Sequence, residues 1–393
     1  MKPIVALVVP CVVFPSLWLG AQTPSAGNHQ SAENAAVKYL RADASLRQSY
    51  PLPPDAVTNL QKSVESPLDV EDEKLIAAAA DALVEFHHGA ASSRCDWVMS
   101  SEDGPLANTA HRGAIKELVA VAEIRSRLRF RDDDIPGAID DAVAAMTAAR
   151  YLSVDGSLAS VLFAYRIENS VRGIVARNLD LLSKVQLREL ENAINGLPSG
   201  SDLKIALDSE KLNRNDILDS VQGAKTRDDL IVGLLRNIPV LKSNRELAAQ
   251  IVDGCGGSVK GFTDCVDQQQ AFYRSWVPRF ALPPDEFEKA YKAEFDGLSK
   301  TNPVVWQFTP ALPRLRWAEA YEQTRRALLR TAIAVRLDGP KAVSLSPDPY
   351  NRKPFAYFAL GEGFRLESQL VDGGIPISLS IVPGAEDRKP VPK

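Results

Sequence analysis

Histidine and cysteine are both scarce in this chain, four of each in 393 residues. Only His87 and His88 are neighbours, and no His-Glu-x-x-His spacing occurs, so a zincin-type metal site is excluded. The segment Gly196-Leu-Pro-Ser-Gly-Ser lacks the glycine spacing of a nucleophile elbow, and no phosphate-cradling G-x-x-x-x-G-K or G-x-G-x-x-G is present. An excess of one charge is missing too: 46 basic against 50 acidic residues give a net charge of −4. No field of one sign is available to hold nucleic acid. Arg125, Arg127, Arg129 and Arg131 alternate over a short stretch, but Asp132, Asp133 and Asp134 follow at once. On a helix those arginines fan around the axis, which reads as a solvated face.

What is present begins at the N-terminus. Lys2 precedes an apolar run over residues 3–19 that ends at the small residues Gly20 and Ala21. A basic start, a hydrophobic middle and a small-residue exit describe a secretory signal over residues 1–21. The expected location is therefore periplasmic or extracellular. An uncleaved anchor is the rival reading, but Pro10 and Pro15 interrupt a run shorter than the roughly 20 residues a bilayer needs. Lipidation at Cys11 is disfavoured by Pro10, where a small residue is wanted. No second apolar stretch approaches membrane length, so the mature chain has no expected transmembrane segment. In an oxidising compartment Cys255 and Cys265 are the natural disulfide candidates among Cys95, Cys255 and Cys265, with Gly256, Gly257 and Gly261 easing the chain reversal. A zinc site built from these cysteines with His87 and His88 matches no recognised ligand spacing.

From residue 31 to about 337 the dominant period is helical. Leu75, Ile76, Ala79, Leu83 and Phe86 form one apolar stripe, with Asp69 placed to cap its start and Gly89 its end. A second helix is expected over residues 108–129 on Ile115, Leu118, Val119 and Ala122, and a third opens at Pro136 and buries Ile139, Ala142, Val143, Met146 and Ala149. Their rhythm is tetratricopeptide-like in part, without a 34-residue recurrence elsewhere. Ser183 with Gln186, and Ser243 with Glu246, fit reciprocal caps; Thr226 fits a simple one. Gly196 and Pro198 stop a helix, the Pro-rich stretches 276–284 and 302–313 read as connectors with packed Trp276, Phe280, Trp306 and Phe308, and a last helix spans about 315–337. After Gly339 the period shortens to that of strands, with a turn at Gly361-Glu362-Gly363. The expected fold is thus mainly α: an irregular array of stacked helical hairpins over 22–340, a small antiparallel sheet over 341–384 and a disordered tail over 385–393.

Three stretches, RCDWVMSSEDGPL at 94–106, the hairpin at 112–150 and DPYNRKPFAYFALGEGFRLES at 348–368, carry a resemblance. The chain resembles a family of uncharacterised secreted proteins of planctomycete and acidobacterial type, with a C-D-W segment, a helical middle and a D-P-F/Y ending. That ending also looks like the C-terminal sheet of pilin-like proteins. The resemblance covers about two thirds of the chain and implies a secreted helical body; it transfers no reaction. An aspartate-rich segment that usually follows the second strand is reduced here to Asp372, which weakens any implied calcium role.

The remaining constellations have plain explanations. Glu85 and His88 share a helix face, and His87 and His88 sit where the helix macrodipole favours histidine. The Asp132–Asp134 triplet supplies too few oxygens for calcium and reads as a connector. Asp140 and Asp141 read as first-turn helix charges, Asp348 and Asp372 as turn residues, and Cys95 and Trp97 as a loop pinned to the helical body. Tyr350, Phe355, Tyr357 and Phe358 are expected in the core of the sheet. No catalytic, cofactor-binding or metal-ligating residue is assigned, and no cofactor is expected. The expected function is an exported helical scaffold with an unknown protein or peptide partner in the cell envelope. The alternatives are an envelope hydrolase with scattered site residues, drawing on Glu85, His88 or His111, and a pilus or secretion-system accessory.

Overall fold

The structure, a computed structural model, describes residues 34–50, 64, 66–97, 110–209, 214–238, 241–309 and 311–383. The expected signal segment 1–21 and tail 385–393 lie outside these residues. Small side chains set the central packing. Ala138, Ala142, Ala145 and Ala149 recur along one side of α5 (Ile135–Ser153), and all four are buried. Without long side chains between them, α4 (Ala110–Arg131) and α6 (Leu158–Arg177) pack closely against α5. Asp134 caps α5 by accepting from the Gly137 amide at 3.1 Å, with Pro136 in the first turn. Asp133 turns the chain there with φ +66°.

The N-terminal helices cover this trio. Helix α1 (Ala35–Ser49) packs on α3 (Ala80–Ala90) and α4, and α2 (Val70–Ala78) packs on α4. The stripe expected as one helix is broken at Ala79, whose ψ of 6° leaves the helical range. Asp69 does cap α2, in a reciprocal box with Asp72. Gly89 is not a cap, however: it lies inside α3, and a Cβ there would come within 2.7 Å of the Tyr39 ring. The glycine is needed for the close approach of α1.

After α7 (Lys184–Asn195), capped by the Ser183–Gln186 box and ended at Gly196, the chain leaves the main core. Helices α8 (Leu203–Ser209), α9 (Arg214–Ser220), α10 (Arg227–Asn237), α11 (Arg245–Gly254), α12 (Val259–Trp276), α13 (Pro284–Leu298) and α14 (Pro303–Phe308) form two smaller cores. One is aromatic, around Trp276, Phe287 and Tyr291; the other is aliphatic, around Leu230, Ile251 and Phe262. Thr226 caps α10, but Asn244 and not Ser243 caps α11, because its side chain is the one that reaches Leu247 N at 3.0 Å. The stretches expected as connectors carry a 3-10 turn (Val277–Ala281) and α14. Trp276 and Phe280 are buried as expected, whereas Trp306 is 61% exposed, since it points away from the Val304 and Val305 face that packs.

Helix α15 (Leu312–Asp338) returns to the main core and lies against α6, α7 and the sheet. It ends at Gly339, whose φ of +85° only glycine adopts without strain. Strands β1 (Ala356–Leu360), β2 (Gly363–Asp372) and β3 (Ile375–Ile381) form an antiparallel sheet in the order β1-β2-β3. Phe364, Leu366, Leu379 and Ile381 face inward and join the core of α4–α7 and α15. Phe355 joins them, but Phe358 is exposed on the other face of its strand. Asp348 is the turn residue that holds the approach to β1: it accepts from Ser368 Oγ at 2.6 Å, the Gln369 amide at 3.2 Å and the Tyr350 amide at 2.9 Å.

A buried ionic network fixes α15. Arg172 on α6 donates to both oxygens of Glu322 on α15, at 2.6 and 2.8 Å, and also to Glu168 one turn earlier. Arg150 on α5 and Arg326 on α15 complete the set. The side chains of Arg172, Glu168 and Glu322 are only 4, 2 and 2% exposed. Truncating one member of such a network strands charge in the interior, which costs about 3–5 kcal/mol. Arg172→Ala is therefore expected to lower the unfolding free energy by about that amount in urea denaturation.

Candidate functional site

A cavity of about 740 Å³ opens between α4 and α6 and is bordered by α15 and by Val64, Ser66 and Pro67. Its walls follow from helical spacing. Lys116, Val119, Ala120, Glu123 and Arg127 recur along one face of α4, and Phe163, Arg166, Ile167, Ser170, Gly173 and Arg177 along the facing side of α6. The hairpin turns before and after α5 make α4 and α6 run parallel. Lys116 meets Phe163 with Nζ 3.5 Å from the ring centroid, and Glu123 meets the Ser170 hydroxyl, so the two helices keep one register along the cleft. Tyr321 and Arg325 enter from α15.

The cleft is strongly cationic. Lys116, Arg127, Arg166, Arg177 and Arg325 line it, against the single carboxyl group of Glu123 among the described lining residues. Arg127 also braces the wall, donating to the Val64 and Ser66 carbonyls at 2.8 Å each, and Arg325 donates to the Ser378 carbonyl at 3.0 Å. Burial lowers the pKa of Lys116, and the neighbouring charges of Arg166 and Arg112 lower it further. Glu123 is buried at the base. Its Oε1 has no hydrogen-bond partner, and burial pushes its pKa up to about 7 against the opposing pull of Ser170, Arg127, Arg177 and Arg166. At neutral pH and below, a substantial share of this carboxyl group therefore carries a proton it can donate.

The histidines lie elsewhere. His87 Nε2 sits 2.7 Å from Asp141 Oδ1 and 2.8 Å from Arg125 Nη2, in a cluster that Arg129 joins at 3.0 Å. Asp141 is wholly buried, so it is not the solvated first-turn charge expected from the sequence; it is the hub that joins α3, α4 and α5. The four arginines 125–131 likewise do not form a solvated face. They do fan around α4, but each reaches an internal or surface partner: Asp141, the Val64 and Ser66 carbonyls, and for Arg131 Glu73 and Asp132. A smaller cavity of about 420 Å³ touches His87, Asp140 and Glu189 but is lined mainly by Ala, Ile and Val. His88 pairs with Glu85 at 3.3 Å on the surface. His111 is sealed in: its Nε2 lies 2.9 Å from Asp155 Oδ2, and the Trp97 ring, tilted by 32°, has its centroid 4.9 Å away. Trp97 donates from Nε1 to the Tyr151 carbonyl at 2.7 Å, which pins the C-D-W segment to the body.

Among the described residues no three His, Cys, Asp or Glu side chains converge as a metal-ligand set. No helix among them is long and apolar enough to cross a membrane. Cys95, Cys255 and Cys265 are free thiols. Burial pushes Cys95 up to about 12, and burial together with the adjacent Cys265 thiol raises Cys255. Asn302 holds the Cys265 turn by donating to its carbonyl at 2.9 Å. No family model matches the chain, and neither a curated protein nor a solved structure matches it.

Glu123 and its cationic surroundings were not singled out in the sequence. The available signal was a carboxylate inside the apolar run Val121-Ala122-Glu123-Ile124, one helical repeat from Lys116 and one turn from Arg127. Its raised pKa has a stability consequence. Below pH 4.5 the group is protonated in both states and contributes no pH dependence. Between 4.5 and about 7 the unfolded chain ionises it while the folded chain does not, so stability falls as pH rises, by about 3 kcal/mol in all. Thermal denaturation of Glu123→Gln is expected to show a gain over the parent at pH 8 relative to pH 4.5. Parallel pH profiles would contradict the assignment.

Proposed function

We propose that this chain is an exported, non-enzymatic helical scaffold that engages a protein or peptide partner of the cell envelope through the α4–α6–α15 cleft. The observation that carries this reading is the cleft itself. It is open to solvent and walled by side chains suited to recognition, while His87 and His111 are committed to buried structural carboxylates. Parallel α4 and α6 on either side of α5 support a tetratricopeptide-like element within an otherwise irregular array, because such stacking leaves a groove between alternate helices. The resemblance to secreted planctomycete and acidobacterial proteins belongs to the same proposal, as does export through residues 1–21.

The envelope-hydrolase alternative asks for Glu85, His88 or His111 to meet acidic residues in one solvent-reached cavity. His87 comes nearest, in the smaller cavity, but its Nε2 is held between Asp141 and Arg125. A pilus or secretion-system role has no support beyond the form of the C-terminal sheet, whose inner face is joined to the helical core.

Two measurements test the proposal. A photo-crosslinking residue at Tyr321, in the cleft, is expected to give discrete adducts in living envelopes, whereas one at Trp306, exposed and remote, gives none. Equal labelling from both, or from neither, contradicts the reading. Export into an oxidising compartment is expected to join Cys255 to Cys265, their thiols being neighbours in the third core, with loss of two hydrogens to the compartment's thiol oxidant. Peptide mapping without reductant reads the link; free thiols in protein recovered from the envelope would contradict it.

A further inference from the structure

The base of the cleft holds an incomplete contact. Glu123 meets the Ser170 hydroxyl, but its Oε1 is buried and has no hydrogen-bond partner. A buried polar atom left unmatched costs stability, and a ligand that supplies its partner recovers that loss. The neighbouring arginines differ in what they can offer a ligand. Arg127 is occupied by the Val64 and Ser66 carbonyls, Arg325 by the Ser378 carbonyl, and Arg166 acts on both Lys116 and Glu123. Arg177 is exposed, and its guanidinium folds back along α6, where a Cβ at Gly173 would meet its Nη1 at 3.6 Å. Gly173 follows Ser170 by three residues, about 4.5 Å of helix. The guanidinium and the Glu123 carboxyl group thus flank a gap that one carboxylate, accepting a hydrogen bond from each side, can bridge. Val119, Ala120 and Ile167 supply an uncharged floor beside it.

We propose that the cleft captures the free C-terminal carboxylate of a peptide, one oxygen accepting from Glu123 and the other from Arg177, with an apolar last side chain on Val119, Ala120 and Ile167. This rests on the scaffold reading and names the partner's chemistry. A C-terminal residue carries its carboxylate and its side chain on one Cα, which matches a hydrogen-bonding base that adjoins an apolar floor. At about 740 Å³ the cavity encloses a ligand of drug size, more than a small free acid fills. Burial pushes the Glu123 pKa up to about 7, so below that pH the group carries the proton it donates. Once ionised, it sets a buried like charge against the ligand. The groups that face it are Arg127 from α4 and Ser170, Arg166 and Arg177 from α6, with Tyr321 and Arg325 of α15 on the same cleft wall. A peptide terminus, with an ordinary pKa of about 3.5, is ionised throughout this range. Binding is therefore expected to weaken as pH rises through about 7.

The test uses tetra-alanyl-phenylalanine, fluorescein-labelled at its N-terminus, and the full chain, read by fluorescence anisotropy. The free acid is expected to bind at pH 6. Its C-terminal amide, and an amide with one internal alanine replaced by glutamate, should bind about tenfold more weakly or worse, the loss of a charge-assisted hydrogen bond. Arg177→Ala should weaken free-acid binding by a similar factor, with an unchanged far-UV circular dichroism spectrum. Affinity should also fall between pH 6 and pH 8 in the parent chain, and much less in Glu123→Gln, whose amide donates at either pH. The inference is overturned if the free acid does not bind, if either amide matches it, or if a folded Arg177→Ala binds it as well as the parent. Displacement by phenylacetate at the peptide's own concentration also overturns it, because the ligand would then be a small free acid. Adducts from Tyr321 without a preference for the free acid would keep the scaffold reading and remove this one. Free-acid binding without adducts would do the reverse.

Discussion

The contact between Arg172 on α6 and Glu322 on α15 closes the molecule. The two residues are 150 positions apart, yet their side chains meet in two hydrogen bonds inside the core. Between α7 and α15 the chain makes an excursion from this helical body and forms both smaller cores. A buried ion pair adds little net stability against a well-packed apolar substitute, but it penalises wrong arrangements heavily. Only one placement of α15 brings Glu322 to both amino groups of Arg172. The apolar faces of α6 and α15 could slide over one another with small loss; the charges cannot.

That placement decides the cleft. Tyr321 and Arg325 enter its wall from the turns of α15 that flank Glu322. Arg325 reaches on to the Ser378 carbonyl, so helix, sheet and cleft share one alignment. The same economy governs the other ionisable groups. Asp141 draws three helices together through Arg125, Arg129 and His87, and Asp155 holds His111 beneath Trp97. Chemistry that could have formed a reaction centre is turned inward as structure. Among the described residues, the lining of the open cleft holds five cationic side chains and the single carboxyl group of Glu123.

Much of the architecture was legible because it is local. Caps at Asp69, Ser183 and Thr226, the start of α5 beside Pro136, and the change of period after Gly339 are each written within a few residues. Errors arose where the deciding partner lies far away in sequence. Gly89 looked like a helix stop because Tyr39, fifty residues earlier, is invisible to a local reading. Asp141 looked like a first-turn charge because Arg125 and His87 reach it only after three helices have packed. The cleft was missed for the same reason. Lys116, Glu123 and Arg127 share a face, but their meaning depends on Arg166 and Arg177 standing opposite, which requires α4 and α6 to run parallel across α5.

The central claim is that buried charge locks α15 to α6, so that the two unfold as one unit. Native-state hydrogen exchange resolved by mass spectrometry tests it most directly. Peptides from α15 around Glu322 should exchange with the same opening free energy, and the same dependence on denaturant, as peptides from α5 and α6. If α15 instead opens at markedly lower free energy while α4–α6 stay protected, the network is not what holds the body together, and the cleft wall it supports is not a fixed surface.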